Sequence, residues 1–201
     1  MSSPGPAGAA QQVHAALLAR GETVAAAESL TAGLFCATLA AVPGASATLR
    51  GGAVVYATDL KTTLAGVAPE LLAASGPVSE PTAAALAEGI RSRCAATWGV
   101  GLTGVAGPDS ADGHAPGRVY LGLSDGLVTV VHELDVPGDR AAVRTGAVQA
   151  ALERLLGRLA EHALPGAAEH VVPGAAERAV PGKAGDAEGV TPGADGSSPA
   201  R

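Results

Sequence analysis

Four short stretches carry residue types and spacings that could do chemistry. The first is Ala27-Glu28-Ser29-Leu30-Thr31-Ala32-Gly33. An apolar run ends there and a helical pattern begins at a hydroxyl residue. That sets Ser29 at the carboxyl end of a strand, where open α/β sheets take ligands. The free N–H groups of such a helix start, with Thr31 and Gly33 among them, can receive a phosphate or a developing oxyanion. A plain N-cap serine is the alternative. The second stretch runs from Tyr56 to Lys61. A serine hydroxyl needs a base beside it to attack, and a lysine held neutral by burial can be that base. Tyr56 could relay the proton or hydrogen-bond a substrate. A solvated lysine and a packing tyrosine are the alternatives. The third is Thr103-Gly104-Val105-Ala106-Gly107-Pro108, whose backbone N–H groups can converge on an anion as a nest. It is neither GxGxxG nor a P-loop, since no lysine follows, and a plain turn stays open. The fourth is Arg140 and Arg144, four apart on one helix face, either of which could clamp a phosphate through its guanidinium fork. Ion pairs with Asp139 or Glu153 are the competing use. His114 is a weaker candidate for substrate contact.

The elements that must position these residues follow from periodicity and from stop signals. Residues 9–20 place Ala10, Val13, Ala16 and Leu17 on one helical face, and Gly21 stops the helix. Residues 23–27 read as a short buried strand, 30–41 as an apolar helix, and 51–56 as a second strand. Thr58 is expected to cap a helix ending at Gly66, Pro69 to open a short helix closed by Gly76, and Ser79 to cap a long helix over 80–95. Residues 98–103 form a third strand. Residues 118–124 and 127–134 flank Asp125-Gly126 as a hairpin. Residues 138–160 form an amphipathic helix with Val143, Ala147, Leu152, Leu155 and Leu159 inward. Strands alternating with helices, plus one hairpin, predict an α/β fold: a three-layer α/β/α sandwich with a mixed sheet.

Composition limits the function. Gly and Pro together make 42 of 201 residues, and 12 of them lie in the 39 residues from 163 onward, where Pro165, Pro173 and Pro181 recur every eight residues. That segment reads as a disordered tail, residues 1–8 as a flexible start, and 9–162 as the folded domain. Only four aromatics are present, so the core must be built from Ala, Val and Leu. A net charge of −6 without a basic cluster argues against a nucleic-acid partner. No apolar run is long enough for a membrane span, and the first residues do not read as a secretory signal, so a cytoplasmic location is expected. Cys36 and Cys94 lack metal-ligand spacing and read as reduced thiols, and no metal is expected.

Taken together, AESLTAG, VPGASATLRGGAVVYATDLK, GVAPELLAASGPVSEPTAAALAEG, TGVAGP and VYLGL resemble the CinA C-terminal domain family over about residues 10–160. That family includes stand-alone nicotinamide mononucleotide deamidases. The resemblance implies an amidohydrolase that converts nicotinamide mononucleotide to nicotinate mononucleotide and ammonia, with no metal or organic cofactor. It implies Ser29 as nucleophile, Lys61 as base and Tyr56 as third catalytic member. Ser46 and Thr103 match residues near the substrate, and Arg144 matches the phosphate contact, with Arg140 as second choice. A homodimer is also implied. The chain departs from the family's common AESCTGG at Leu30 and Ala32, and Asp109-Ser110-Ala111-Asp112 replaces a glycine run. These changes bear on substrate fit. A non-catalytic nucleotide-binding module and an amidase for another small amide are the competing readings.

Overall fold

The computed structural model describes residues 5–162. The Pro/Gly repeat of residues 163–201 lies outside the described residues, as do residues 1–4. The elements run α1 (Pro6–Arg20), β1 (Val24–Glu28), α2 (Leu34–Ala40), β2 (Leu49–Val54), α3 (Thr58–Ala65), α4 (Pro69–Ser75), α5 (Glu80–Arg93), β3 (Trp98–Gly104), β4 (Arg118–Ser124), β5 (Thr129–Asp135) and α6 (Arg140–Glu161). The five strands form one sheet in the order β2-β1-β3-β4-β5. β1 pairs in parallel with β2 and β3, whereas β4 runs antiparallel to both its neighbours.

Side-chain alternation along β1 divides the interior into two cores. Val24 and Ala26 face a cluster with Leu17 of α1, Phe35 of α2 and Leu152 and Leu155 of α6. Ala25 and Ala27 face Ala65 of α3 and Leu86 and Ile90 of α5. Helices therefore cover both faces of a mixed sheet, as the alternation of strand and helix patterns predicts. All five residues predicted to face inward on α6 are buried. Leu152, Leu155 and Leu159 each stabilise the fold by roughly 1.5–3 kcal/mol.

With two large aromatics inside, Phe35 and Trp98, the layers must lie close together to leave no voids. Three glycines make this possible. A Cβ at Gly99, Gly101 or Gly122 would strike the backbone of α5 at Ala83 or Ala87. Helix α5 thus rests directly on the backbone of β3 and β4.

Local signals hold in most places. Gly21 and Gly66 end their helices in the left-handed conformation, and the Ser79 side chain accepts from the Thr82 N–H. Asp125 closes the hairpin by accepting from the Leu127 and Val128 N–H groups. Several boundaries differ from expectation, among them β2, which runs Leu49–Val54 rather than 51–56 and so leaves Tyr56 beyond its end. Residues 6–8, assigned to a flexible start, are the first turn of α1, with Pro6 in its first turn. Thr58 is the first residue of α3 rather than its cap, a position held by Ala57. β5 begins at Thr129, because Asp125 ties down the two residues before it. The largest difference is α2, which starts at Leu34 and not at residue 30. Its cause lies in the candidate site.

Candidate active site

The chain leaves β1 through α2 to reach β2 on one side, then returns through α3, α4 and α5 to β3 on the other. Between the carboxyl ends of β1 and β3 such a reversal leaves a crevice. Ser29 follows the last residue of β1, Tyr56 comes two residues after β2, and Thr103 and Gly104 end β3. β5 runs in the same direction as β3, so the start of α6 comes to this same edge with Arg140. A cavity of about 200 Å³ opens here, and its lining includes Ser29, Tyr56, Lys61, Thr103, Arg140 and Asp112.

The centre of the cavity is a lysine–serine contact. Lys61, on the first turns of α3, is 1% exposed and Ser29 is 9% exposed. Lys61 Nζ lies 3.3 Å from Ser29 Oγ and donates to the Val55 carbonyl at 2.9 Å. Burial pushes the ammonium below lysine's ordinary range, and the negative charge of Asp112 partly opposes this. A neutral amine has two N–H groups and one lone pair. With one N–H on Val55, the lone pair can face the serine proton.

Glu28 explains the late start of α2. Its buried carboxylate accepts from the N–H of Gly33 at 3.0 Å, Phe35 at 3.0 Å and Cys36 at 2.9 Å. These are the orphan donors of the helix start. Gly33 takes φ +91, a left-handed conformation, to turn the chain into the helix. Of the donors expected to receive a ligand anion, the Gly33 N–H is therefore taken by the protein's own carboxylate. The donors left over lie nearer the serine. Among the described residues, the N–H groups of Leu30 and Thr31 meet no protein acceptor. Ser29 N–H donates to the Leu102 carbonyl, and Ala32 N–H donates back to the Ser29 carbonyl.

The other candidates separate into two groups. Thr103 lines the cavity and its hydroxyl donates to the Pro77 carbonyl at 2.7 Å. Gly104, Ala106 and Gly107 also line it. The glycines there have structural reasons: a Cβ on Gly104 would meet the β4 backbone, and Gly107 has φ +85. Arg140 donates to the Gly107 carbonyl at 2.8 Å and to the Tyr56 hydroxyl at 2.7 Å, bridging two walls of the cavity. Tyr56 is exposed at the mouth, with its hydroxyl bonded to Arg140 rather than to Ser29 or Lys61. Thr31, Gly33, Ser46 and Arg144 do not line the cavity. Thr31 is fully buried with an unpartnered hydroxyl. Ser46 precedes β2, and because β1 and β2 are parallel it sits at the opposite end of the sheet from Ser29. Arg144 donates to the carbonyls of Leu30 at 3.0 Å and Thr31 at 2.8 Å, so the order of the two arginines at the cavity is reversed from expectation.

Asp109 and Asp112, from the segment that replaces the family's glycine run, also line the cavity. Asp112 has φ +51 and Gly113 φ +78, and Ala111 and His114 exchange both backbone hydrogen bonds around them. This is a two-residue hairpin turn, which the Asp-Gly pair signals. His114 packs edge-on against Tyr120, with ring centroids 5.8 Å apart, and does not line the cavity. Among the described residues there is no group of three His, Cys, Asp or Glu side chains able to hold a metal, and no helix is long and apolar enough to cross a membrane.

The CinA C-terminal domain family model matches residues 7–159. A CinA-like protein of Frankia casuarinae is 49% identical over 137 residues, which cover 68% of this chain and 32% of that protein. A CinA-like protein of Acidobacterium capsulatum is 49% identical over 141 residues, covering 70% and 34%. The chain thus spans about a third of the length of these relatives. Among solved structures, a CinA superfamily protein from Klebsiella pneumoniae aligns with a TM-score of 0.77 at 28% identity, over 79% of this chain and 99% of that one. The competence/damage inducible protein CihA from Agrobacterium tumefaciens aligns with a TM-score of 0.73 at 33% identity, over 78% and 98%. The match takes in every strand of the sheet and every wall of the cavity, and the chain belongs to the CinA C-terminal domain family.

Proposed function

We propose that the protein hydrolyses the carboxamide of nicotinamide mononucleotide to nicotinate mononucleotide and ammonia, with Ser29 as nucleophile. The observation that carries this reading is the buried contact between Lys61 Nζ and Ser29 Oγ at the end of β1. A lysine so placed is held below its ordinary range by burial and touches a hydroxyl that has no other base beside it. Family membership supports the same chemistry.

The steps follow from the positions. Ser29 Oγ bonds to the carboxamide carbon while its proton passes to Lys61. The carbonyl oxygen becomes an oxyanion beside the free N–H groups of Leu30 and Thr31, a donor of this kind being worth roughly 3–4 kcal/mol. The C–N bond breaks, Lys61 returns the proton, and ammonia leaves an ester on Ser29. Water then adds to that ester with Lys61 as base, releasing the carboxylate and restoring the serine. Arg140 and the Tyr56 hydroxyl at the mouth take the phosphate end, in place of the hydrogen bond they share.

The test is ammonia release from nicotinamide mononucleotide, with the acid product followed by mass spectrometry. Ser29→Ala is expected to abolish turnover while the circular dichroism spectrum stays unchanged. Near-normal turnover by that variant overturns the reading. Nucleotide binding in a calorimeter without ammonia marks a binding module instead. Asp109 and Asp112 in the cavity wall favour one second reading, an amidase for a different, positively charged small amide. A panel of pyridinium and aliphatic amides separates the two.

A further inference from the structure

Arg144 lies one helical turn beyond Arg140 on α6, yet it serves the serine loop rather than the cavity. The segment from Ser29 to Cys36 is anchored at both ends. Ser29 N–H is held by the Leu102 carbonyl of β3, and the N–H groups of Gly33, Phe35 and Cys36 are held by Glu28. Between these anchors the Thr31 carbonyl accepts from the Leu34 N–H at the start of α2, and the described hydrogen bonds that tie Leu30 and Thr31 to an element outside the segment both come from Arg144.

Peptide geometry then fixes what the loop presents. In a trans peptide the C=O and the following N–H point in opposite directions. The only cis bond among the described residues is Gly107-Pro108, so the loop peptides are trans. The Leu30 carbonyl is drawn to Arg144 on α6, so the Thr31 N–H of the same plane points away from α6. The Ser29 carbonyl accepts from Ala32, so the Leu30 N–H of that plane points away from the turn. Two adjacent donors next to the nucleophile are left without protein acceptors. A planar fork is the side-chain shape that can hold two neighbouring carbonyls at once, and a lysine cannot reproduce it.

We infer that Arg144 is a positioning residue, holding the Leu30–Thr31 peptide plane so that its N–H faces the oxyanion formed at Ser29. This rests on Ser29 acting as the nucleophile proposed above, and not on the identity of the amide. The inference separates the two arginines by role: Arg140 meets substrate, and Arg144 meets only the loop.

The experiment combines steady-state kinetics with labelling by a fluorophosphonate. In the labelling step Ser29 Oγ bonds to phosphorus, the P–F bond breaks, fluoride leaves, and the serine proton passes to Lys61. Arg144→Ala is expected to lower kcat about 100-fold with KM within about threefold, since misplacing a donor acts on the transition state. The labelling rate at Ser29, read by intact mass, is expected to fall by a similar factor. Guanidinium ion added to Arg144→Ala is expected to recover part of both rates. A rise in KM of about tenfold with kcat unchanged would make Arg144 a substrate contact and overturn the inference, as would labelling rates equal to wild type. If Arg144→Ala unfolds, Arg144→Lys, which can hold one carbonyl at a time, carries the same comparison. Wild type that labels but hydrolyses no nicotinamide mononucleotide refutes the substrate reading. Slower labelling of the variant then still upholds the positioning role. Wild type that does neither refutes both.

Discussion

Replacing Glu28 by Gln tests whether one buried carboxylate builds the turn that carries the serine. The change is nearly isosteric, so no cavity is created. It removes a charge, and it replaces one acceptor oxygen by a donor NH2. Glu28 now takes three backbone N–H bonds, with Oε2 shared by Gly33 and Phe35 and Oε1 on Cys36. A glutamine oxygen can keep the pair on one side. Its amide then faces the third N–H donor to donor. Leaving one buried donor unsatisfied costs roughly 1–3 kcal/mol. The lost attraction between a full charge and the helix start adds about 0.3–2 kcal/mol. The sum is a destabilisation of about 1.3–5 kcal/mol. For a domain of this size it lowers Tm by roughly 3–20 °C. Urea denaturation followed by circular dichroism measures it, with the midpoint shifting and the slope unchanged. Activity should fall as well at temperatures where the fold persists, because Ser29 adjoins the altered residue. A destabilisation under about 0.5 kcal/mol would refute the view that Glu28 satisfies the start of α2.

Three further outcomes follow from the same geometry. Asp112→Asn removes the charge that raises Lys61 against the lowering effect of burial, so Lys61 falls further and its neutral form appears at lower pH. The acidic limb of kcat/KM is then expected to move to lower pH, and a move to higher pH would contradict the assignment of Lys61 as base. Arg140→Ala is expected to raise KM for the phosphorylated amide about 10–100-fold, the worth of a charge-assisted hydrogen bond, and to leave the dephosphorylated riboside unaffected. Equal losses on both substrates would count against a phosphate role. Gly101→Ala, which drives a Cβ into the backbone of α5, should cost about 3 kcal/mol in urea unfolding. Gly157→Ala, on the open face of α6, should stabilise by about 0.5–1 kcal/mol, and a gain at Gly101 or a loss at Gly157 would sink the packing argument.

Much of this was legible in the residues because period and punctuation agreed. The inward face of α6 shows in its spacing of Val143, Ala147, Leu152, Leu155 and Leu159, and each is buried. The strand-end positions of Ser29, Tyr56 and Thr103 follow from where apolar runs stop. The start of α2 did not follow, since LTAG continues an apolar helical pattern and nothing local betrays a carboxylate folding back from Glu28. The two arginines share a helix face, so spacing alone could not say which reaches the cavity. That depends on how far α6 reaches over the sheet. Ser46 shows the converse limit. It is close to the β2 segment in sequence but stands at the far end of the sheet, which only the parallel pairing of β1 and β2 decides.

The hairpin around Asp112 and Gly113 closes its hydrogen bonds within itself, between Ala111 and His114, and returns to the body at Gly117 and Arg118. Nothing in it braces the serine loop, which is held instead by Leu102, Glu28 and Arg144. The hairpin wall of the cavity and the frame of the Ser29 loop thus share no described hydrogen bond, and what links them is the charge of Asp112 on Lys61. Grafting a different segment between Gly107 and Gly117 that keeps an acid at position 112 is expected to change the cavity wall without moving the Ser29 loop.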